Sequence, residues 1–196
     1  MSLALRVVAG LGNPGADYAR TRHNAGFWFV DELARRHGGS FRIEPRFQAE
    51  LARVRIGAHE LWLAKPVDYM NNSGRVLAAV AGFYKVPPGE LLVVHDELDL
   101  PPGTLRLKQG GGSGGHNGLK DLISRFGDAF WRLRVGIGHP GSRELVTPFV
   151  LNRATADEQA MLDDAVRDAA DALPKLLEHG AEKTMQALHT RVKPQG

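Results

Sequence analysis

LRVVAGLGNPGADYARTRHN, residues 5–24, is the stretch whose reading decides the fold. Leu5-Arg6-Val7-Val8-Ala9 is a short apolar run with β-branched residues, which predicts a buried strand. Gly10-Leu11-Gly12-Asn13-Pro14-Gly15 then puts three glycines and a proline into six residues. Neither a helix nor a strand interior tolerates that composition, so the chain makes a shaped turn at the strand's carboxyl end. Polar residues continue to His23-Asn24, after which Phe27, Val30, Leu33 and Ala34 recur at helical spacing. In open α/β sheets ligands bind outside the carboxyl ends of the strands. His23 is therefore expected beside that edge, at a helix start whose dipole favours a neutral imidazole able to accept a proton. Position alone leaves open a plain capping or loop-bonding role.

Working outward, the first helix spans about residues 24–37 and stops at Gly38-Gly39. Residues 51–56 and 60–64 read as paired strands turning at Gly57-Ala58. A polar loop, 67–74, enters a helix over about 74–85 that Asn71, Asn72 or Ser73 could cap. After Pro87-Pro88-Gly89, a buried strand at 91–94 runs into His95-Asp96-Glu97-Leu98-Asp99. A short strand at 104–108, a glycine-rich loop at 109–115 and a helix from His116-Asn117-Gly118 to about 126 follow. Residues 131–137 form the last strand. Thr155-Ala156-Asp157-Glu158 is a capping box opening a helix that Pro174 should kink or split. A final helix over 182–189 and a loose tail from Arg191 to the end complete the reading. Strands alternating with helices, plus one or two hairpins, predict a three-layer α/β/α sandwich with a mixed, mostly parallel central sheet. No linker or repeat divides the chain, so residues 1–196 are expected to form one domain.

The totals narrow the function classes. A net charge of +3 and a pI near 9.4 are compatible with a nucleic-acid partner without requiring one. The absence of cysteine excludes disulfides and thiol chemistry and fits a cytoplasmic protein. There is no apolar run long enough to span a membrane and no signal peptide, so no membrane partner is expected.

Three chemistries compete for the polar segments. Residues 10–15 match G-x-G-x-x-G, but so do residues 136–141, and in the first the helical period begins too late while Pro14 removes an amide donor. The loop at 109–120 has no Gly-Lys-Ser/Thr ending and is not a P-loop. His95, Asp96, Glu97, Asp99 and His116 include metal-ligand types. Neighbours on a strand point to opposite faces, however, so His95 and Asp96 cannot both face one ion without a bend. Metal-free hydrolysis uses the residues best. Asn13, His23, Met70-Asn71, Asp96 and His116-Asn117 all fall at strand ends, supplying a base, a carboxylate to orient it and several amides. With no Gly-x-Ser-x-Gly elbow and no cysteine, water is the nucleophile. This reading calls for no metal and no cofactor.

Residues 10–26 (GLGNPGADYARTRHNAG), 70–74 (MNNSG), 95–103 (HDELDLPPG), 110–121 (GGGSGGHNGLKD) and 132–141 (RLRVGIGHPG) together closely resemble the bacterial peptidyl-tRNA hydrolase family, over nearly the whole chain. The resemblance implies a monomeric α/β enzyme cutting the ester between a peptide and the 3′ ribose of tRNA. It implies that His23 is the catalytic histidine and Asp96 its paired aspartate. It implies that Asn13, Asn71 and Asn117 hold substrate and water, and that Tyr18, Met70 and His116 line the same cleft. Lys108 and Arg143 match basic positions that grip the tRNA 5′ phosphate, and Arg134 aligns with a basic position nearby. Ser113 replaces a histidine found in some relatives, and Arg143 a lysine, which keeps charge but changes geometry. Two rivals stay open: a catalytically idle RNA-binding or splicing-accessory protein on the same scaffold, and a general small-ester hydrolase.

Overall fold

A computed structural model describes residues 2–191. It contains seven strands: β1 (Val7–Gly10), β2 (Arg42–Glu44), β3 (Ala49–Ile56), β4 (His59–Pro66), β5 (Leu91–Glu97), β6 (Leu105–Gln109) and β7 (Trp131–Gly136). The α-helices are α1 (Ala25–His37), α2 (Ser73–Tyr84), α3 (Asn117–Phe126), α4 (Val146–Val150), α5 (Ala156–His179) and α6 (Ala181–His189). The strands form one sheet in the order β2-β3-β4-β1-β5-β7-β6. The central pairings β4–β1, β1–β5 and β5–β7 are parallel, and the flanking ones are antiparallel. The mixed α/β/α expectation therefore holds.

Alternation along the buried strands sorts the core into two layers. Val8, Leu92, Val94, Leu133 and Val135 pack with Phe29, Leu33, Ala169 and Leu173 from α1 and α5. Val7, Ala9, Leu91 and Val93 face the other way, toward Val76, Leu77, Leu119 and Leu122 from α2 and α3. The antiparallel edge strand β6 is covered by α6, whose His189 Nε2 accepts the Leu107 N–H at 3.0 Å.

The chain departs from β1 toward neighbours on both its sides, and a crevice opens at such a point. Close backbone crossings build it. A Cβ on Gly26 would stand 2.3 Å from the Val94 carbonyl oxygen and 2.6 Å from Leu11 N, and one on Gly10 would stand 2.2 Å from the Gly26 carbonyl oxygen. These glycines thus let α1 settle onto β1 and β5, a packing role that accounts for them without a pyrophosphate. Gly26→Ala is expected to destabilise by at least the ~1–3 kcal/mol typical of overpacking, read as a lower denaturant midpoint at constant m.

Three local expectations are corrected. Of the kink or split expected at Pro174, the split does not occur: α5 runs unbroken through the proline. Leu173, Leu176 and Leu177 are all buried around the proline, so tertiary packing outweighs the one missing hydrogen bond. None of the candidate caps bonds the start of α2: Asn72 occupies the cap position, but its Nδ2 donates to Asp68 Oδ1 at 3.2 Å instead. Arg191 is not loose, because its Nε donates to Asp168 Oδ2 at 2.8 Å and its Nη1 to the Gly103 carbonyl; residues 192–196 lie outside the described residues. Of the capping box at Thr155 the first half forms, the hydroxyl accepting the Glu158 N–H at 3.2 Å, while the Glu158 carboxylate faces Arg22 at 3.5 Å instead of the Thr155 N–H.

Candidate active site

Strand β5 ends its apolar run on His95, Asp96 and Glu97. By alternation Asp96 continues the row of Leu92 and Val94, on the α1 side. The turn after β1 is pinned to β5 where Leu11 N donates to the Val94 carbonyl at 3.0 Å. The chain then reaches a 3-10 turn, Arg22–Asn24, that leads straight into α1. There His23 Nδ1 lies 2.8 Å from Asp96 Oδ2. From the opposite side His116 Nε2 lies 2.9 Å from Asp96 Oδ1.

The second histidine reveals its tautomer. His116 is the N-cap of α3, and its Nδ1 accepts the Leu119 N–H at 3.3 Å. Its proton is therefore on Nε2, which donates to Asp96. Asp96 is 3% exposed. Burial pushes its pKa up, but the two imidazoles pull harder and hold the carboxyl far below the usual range. The carboxylate stays ionised and accepts Nδ1–H from His23, which places the free lone pair of His23 on Nε2. That nitrogen makes no hydrogen bond to any described residue, and a tenth of the side chain is open to solvent.

Burial also pulls the His23 pKa down, but the charge and hydrogen bond of Asp96 outweigh it, so the net direction is upward. The expectation that the helix start keeps this imidazole neutral is thus reversed. A carboxylate at 2.8 Å acts more strongly than the partial charge of a helix end.

The asparagines divide. Asn13 is buried and part of a frame: its Oδ1 accepts the Met70 N–H at 2.7 Å. Asn24 completes that frame, accepting Asn13 N–H at 2.8 Å and donating Nδ2 to the Asn13 carbonyl at 2.9 Å. Only the amide nitrogen of the Asn13 side chain is left for a ligand. Asn71 and Asn117 are exposed, and neither side chain bonds a described residue. Met70 is buried, held by Asn13 through its main chain. Tyr18 meets Tyr69 edge-on with centroids 6.4 Å apart, and Tyr69 is 59% exposed. The rings of His23 and His116 are 4.9 Å apart. The contacts thus bring Asn13, Met70, Asn71, His23, Asp96, His116 and Asn117 to one end of the sheet.

The basic residues do not all meet. Lys108 and Arg134 line one cavity of about 220 Å³ together with Arg132. Arg134 is already paired, its Nε 2.8 Å from Glu97 Oε1. Arg143 stands apart, exposed on the 3-10 turn Arg143–Leu145. Sequence reasoning passed over Arg132, which is 1% exposed and grips the carbonyls of Gly111 and Gly112. It also passed over Asn24 and Tyr69. The signal for Asn24 lay in its place next to His23, and that for Tyr69 in its place next to Met70.

The metal-type grouping differs from the one weighed on sequence. His23, Asp96 and His116 bring their ligand-type atoms within 4.8 Å, and His95, Glu97 and Asp99 do not join them. Both Asp96 oxygens in this cluster are engaged by imidazole nitrogens. A larger cavity, about 470 Å³, lies elsewhere, between α1 and α5 beside Trp28, Arg35 and Gln159.

Comparison with known proteins gives the family and the fold. The family model described as Peptidyl-tRNA hydrolase matches residues 7–195. A peptidyl-tRNA hydrolase of Halorhodospira halophila is 54% identical over 185 residues, covering 94% of this chain and 95% of its own. One from Neisseria meningitidis is 50% identical over 192 residues, covering 97% and 100%. The crystal structure of the Acinetobacter baumannii enzyme superposes with a TM-score of 0.95 at 43% identity, covering 100% of this chain and 99% of that one.

Proposed function

The chain belongs to the peptidyl-tRNA hydrolase family and hydrolyses peptidyl-tRNA, and from that premise we propose that His23 is the general base and Asp96 the group that orients it. The carrying observation is the 2.8 Å contact between His23 Nδ1 and Asp96 Oδ2, which leaves Nε2 free for water. Nε2 takes a proton from a bound water as its oxygen attacks the ester carbonyl. The tetrahedral intermediate collapses, the 3′ ribose oxygen leaves, and it takes the proton back from Nε2. Free peptide and reusable tRNA result. Asp96 stabilises the imidazolium formed in between.

Asn71 and Asn117, exposed and unbonded beside Met70 and His116, are suited to bind the oxyanion and the peptide main chain. The amide nitrogen of Asn13 adds a donor. A grip on main-chain groups reads no side chain, and a free α-ammonium would lose hydrogen bonds and desolvate there. That favours peptidyl-tRNA over aminoacyl-tRNA. Tyr18, Met70 and His116 complete the walls. The idle RNA-binding rival is disfavoured by a complete His23–Asp96 pair.

For the tRNA body we assign Lys108, Arg134 and Arg143 to phosphate contacts, on the family resemblance and on their positions. Neutralising Lys108 or Arg143, neither of which is paired with a described residue, should flatten the salt dependence of tRNA binding by about one unit of log–log slope. Arg134→Ala should change it less, because Glu97 already neutralises part of its charge. Titrating binding against salt concentration checks the order; an unchanged slope for Lys108→Ala removes that residue from the interface. The single sheet supports one domain over residues 1–196, a tRNA substrate supports work in the cytoplasm, and the monomer is carried over from the family resemblance. Among the described residues no helix is long and apolar enough to cross a membrane.

The deciding experiment measures peptide release from purified peptidyl-tRNA beside a simple ester. Turnover of the simple ester at a comparable kcat/KM would favour the small-ester hydrolase instead.

A further inference from the structure

His95 is a buried titratable side chain that the mechanism above leaves idle. It is 1% exposed. Its Nδ1 lies 2.8 Å from the main-chain oxygen of Asp96, so it donates its N–H there. Nε2 then carries a lone pair, and it is buried with no hydrogen-bond partner. Burial above all, with His116 and Arg132 adding repulsion, pushes the pKa down to about 3, so the ring is neutral. The ring stands edge-on to His116, with centroids 5.2 Å apart and planes at 70°. His116 in turn donates to Asp96 Oδ1. His95 therefore acts on Asp96 by two routes, through the main chain and through the His116 ring.

The same residue lines the cavity that holds Lys108, Arg132 and Arg134. Another wall is Gly112 and Gly114, in the loop that delivers His116. Gly110, Gly111, Gly114 and Gly115 all have positive φ, between 58° and 108°, so the loop's path depends on glycine. Arg132 clamps its carbonyls, while the Lys108 ammonium bonds no described residue. Two carboxylates line the cavity as well, Glu97, which is held by Arg134, and the exposed Asp99, so the Lys108 ammonium is its unused cation, and Gly112 and Gly114 lead the chain to His116.

We infer that His95 is a positioning residue that ties an anion held in this cavity to the geometry of Asp96. The Lys108 ammonium already lies against Gly111, so an anion bound to it bears directly on the glycine loop and presses that loop and the His95 ring against His116. This fixes where Asp96 Oδ1 points, and hence how Oδ2 meets His23. The inference rests on the reading that the cavity takes a tRNA phosphate.

The test uses peptidyl-tRNA with its 5′ phosphate and the same substrate after enzymatic dephosphorylation. Wild type is compared with His95→Phe, which keeps a ring but no nitrogen, and with His95→Asn, which keeps a donor near Nδ1. For wild type, removing the phosphate should raise KM and also lower kcat about fivefold or more, the range of an energetic coupling between sites. His95→Phe should lose kcat about 10- to 100-fold with the intact substrate, the cost of misplacing a reacting group from a distance. Its kcat should no longer respond to the phosphate, although its KM still does. His95→Asn should recover part of the kcat and part of the response. A full wild-type kcat response in either variant overturns the role of His95 while leaving the cavity reading intact. If dephosphorylation changes neither KM nor kcat of wild type, the cavity reading and the coupling fall together. Melting temperature shows which variants are folded, and His95→Asn decides if His95→Phe is not.

Discussion

His23→Ala is expected to lower kcat on peptidyl-tRNA by about 10²- to 10⁴-fold, the usual worth of a general base, with KM nearly unchanged. The ring contributes a proton acceptor to the transition state and little to ground-state binding, because only a tenth of it faces the cleft. Truncation also strips the buried Asp96 of one of its two partners, which costs stability. His23→Asn separates the two effects. Its amide can donate to Asp96 from near the Nδ1 position, so it should fold better than His23→Ala and be as slow. Chemistry and stability would then part. The pH profile gives a second reading. Neutral imidazole is the active form, and Asp96 raises its pKa, so kcat/KM should fall on the acid side with a midpoint above the ordinary 6.5. That acid limb should vanish in His23→Asn. Wild-type kcat in either variant would take His23 out of the mechanism, and a midpoint below 6.5 would mean that Asp96 does not govern it.

The buried strands β1 and β5 were legible in the sequence because their neighbours on both faces are apolar, so an unbroken run marks each. The helix starts at His23 and His116 were legible from polar residues giving way to helical spacing. By contrast, β2 has only three residues, with Ile43 62% exposed, and it exists because β3 offers it an edge; no local pattern announces that. The split expected at Pro174 misled because a local penalty was weighed without the tertiary packing that overrides it. The direction of the His23 pKa misled for a related reason. A helix end is visible in sequence, whereas a carboxylate 73 residues away becomes a neighbour only after folding. The division of labour among the asparagines was equally hidden. Asn13 and Asn117 are the same residue type, yet one braces the Met70 loop and the other faces solvent, and burial alone decides which.

Asp96→Asn should be at least as damaging as loss of the base itself, through an orientation that His116 imposes. The substituted amide presents one oxygen and one NH₂ where the carboxylate presented two acceptors. His116 cannot accept from that NH₂ in its present tautomer. Its Nδ1 already takes the Leu119 N–H, so its Nε2 must donate, and the amide oxygen must turn toward it. The NH₂ is then left facing His23 Nδ1. Nδ1 becomes the acceptor, the ring proton moves to Nε2, and the nitrogen meant to take a proton from water is already protonated. In a Ser-His-Asp triad the same tautomer error costs about 10⁴ in kcat, and a loss of that order with KM retained is expected here. A second variant distinguishes this tautomer error from simple loss of charge. Removing the constraint with His116→Ala frees the amide of Asp96→Asn to flip its oxygen toward His23 and restore the active tautomer. The double variant should therefore turn over at least as fast as Asp96→Asn alone, whereas independent effects would multiply to something slower. A double variant slower than Asp96→Asn by the full factor of His116→Ala would show that His116 does not set the orientation of residue 96.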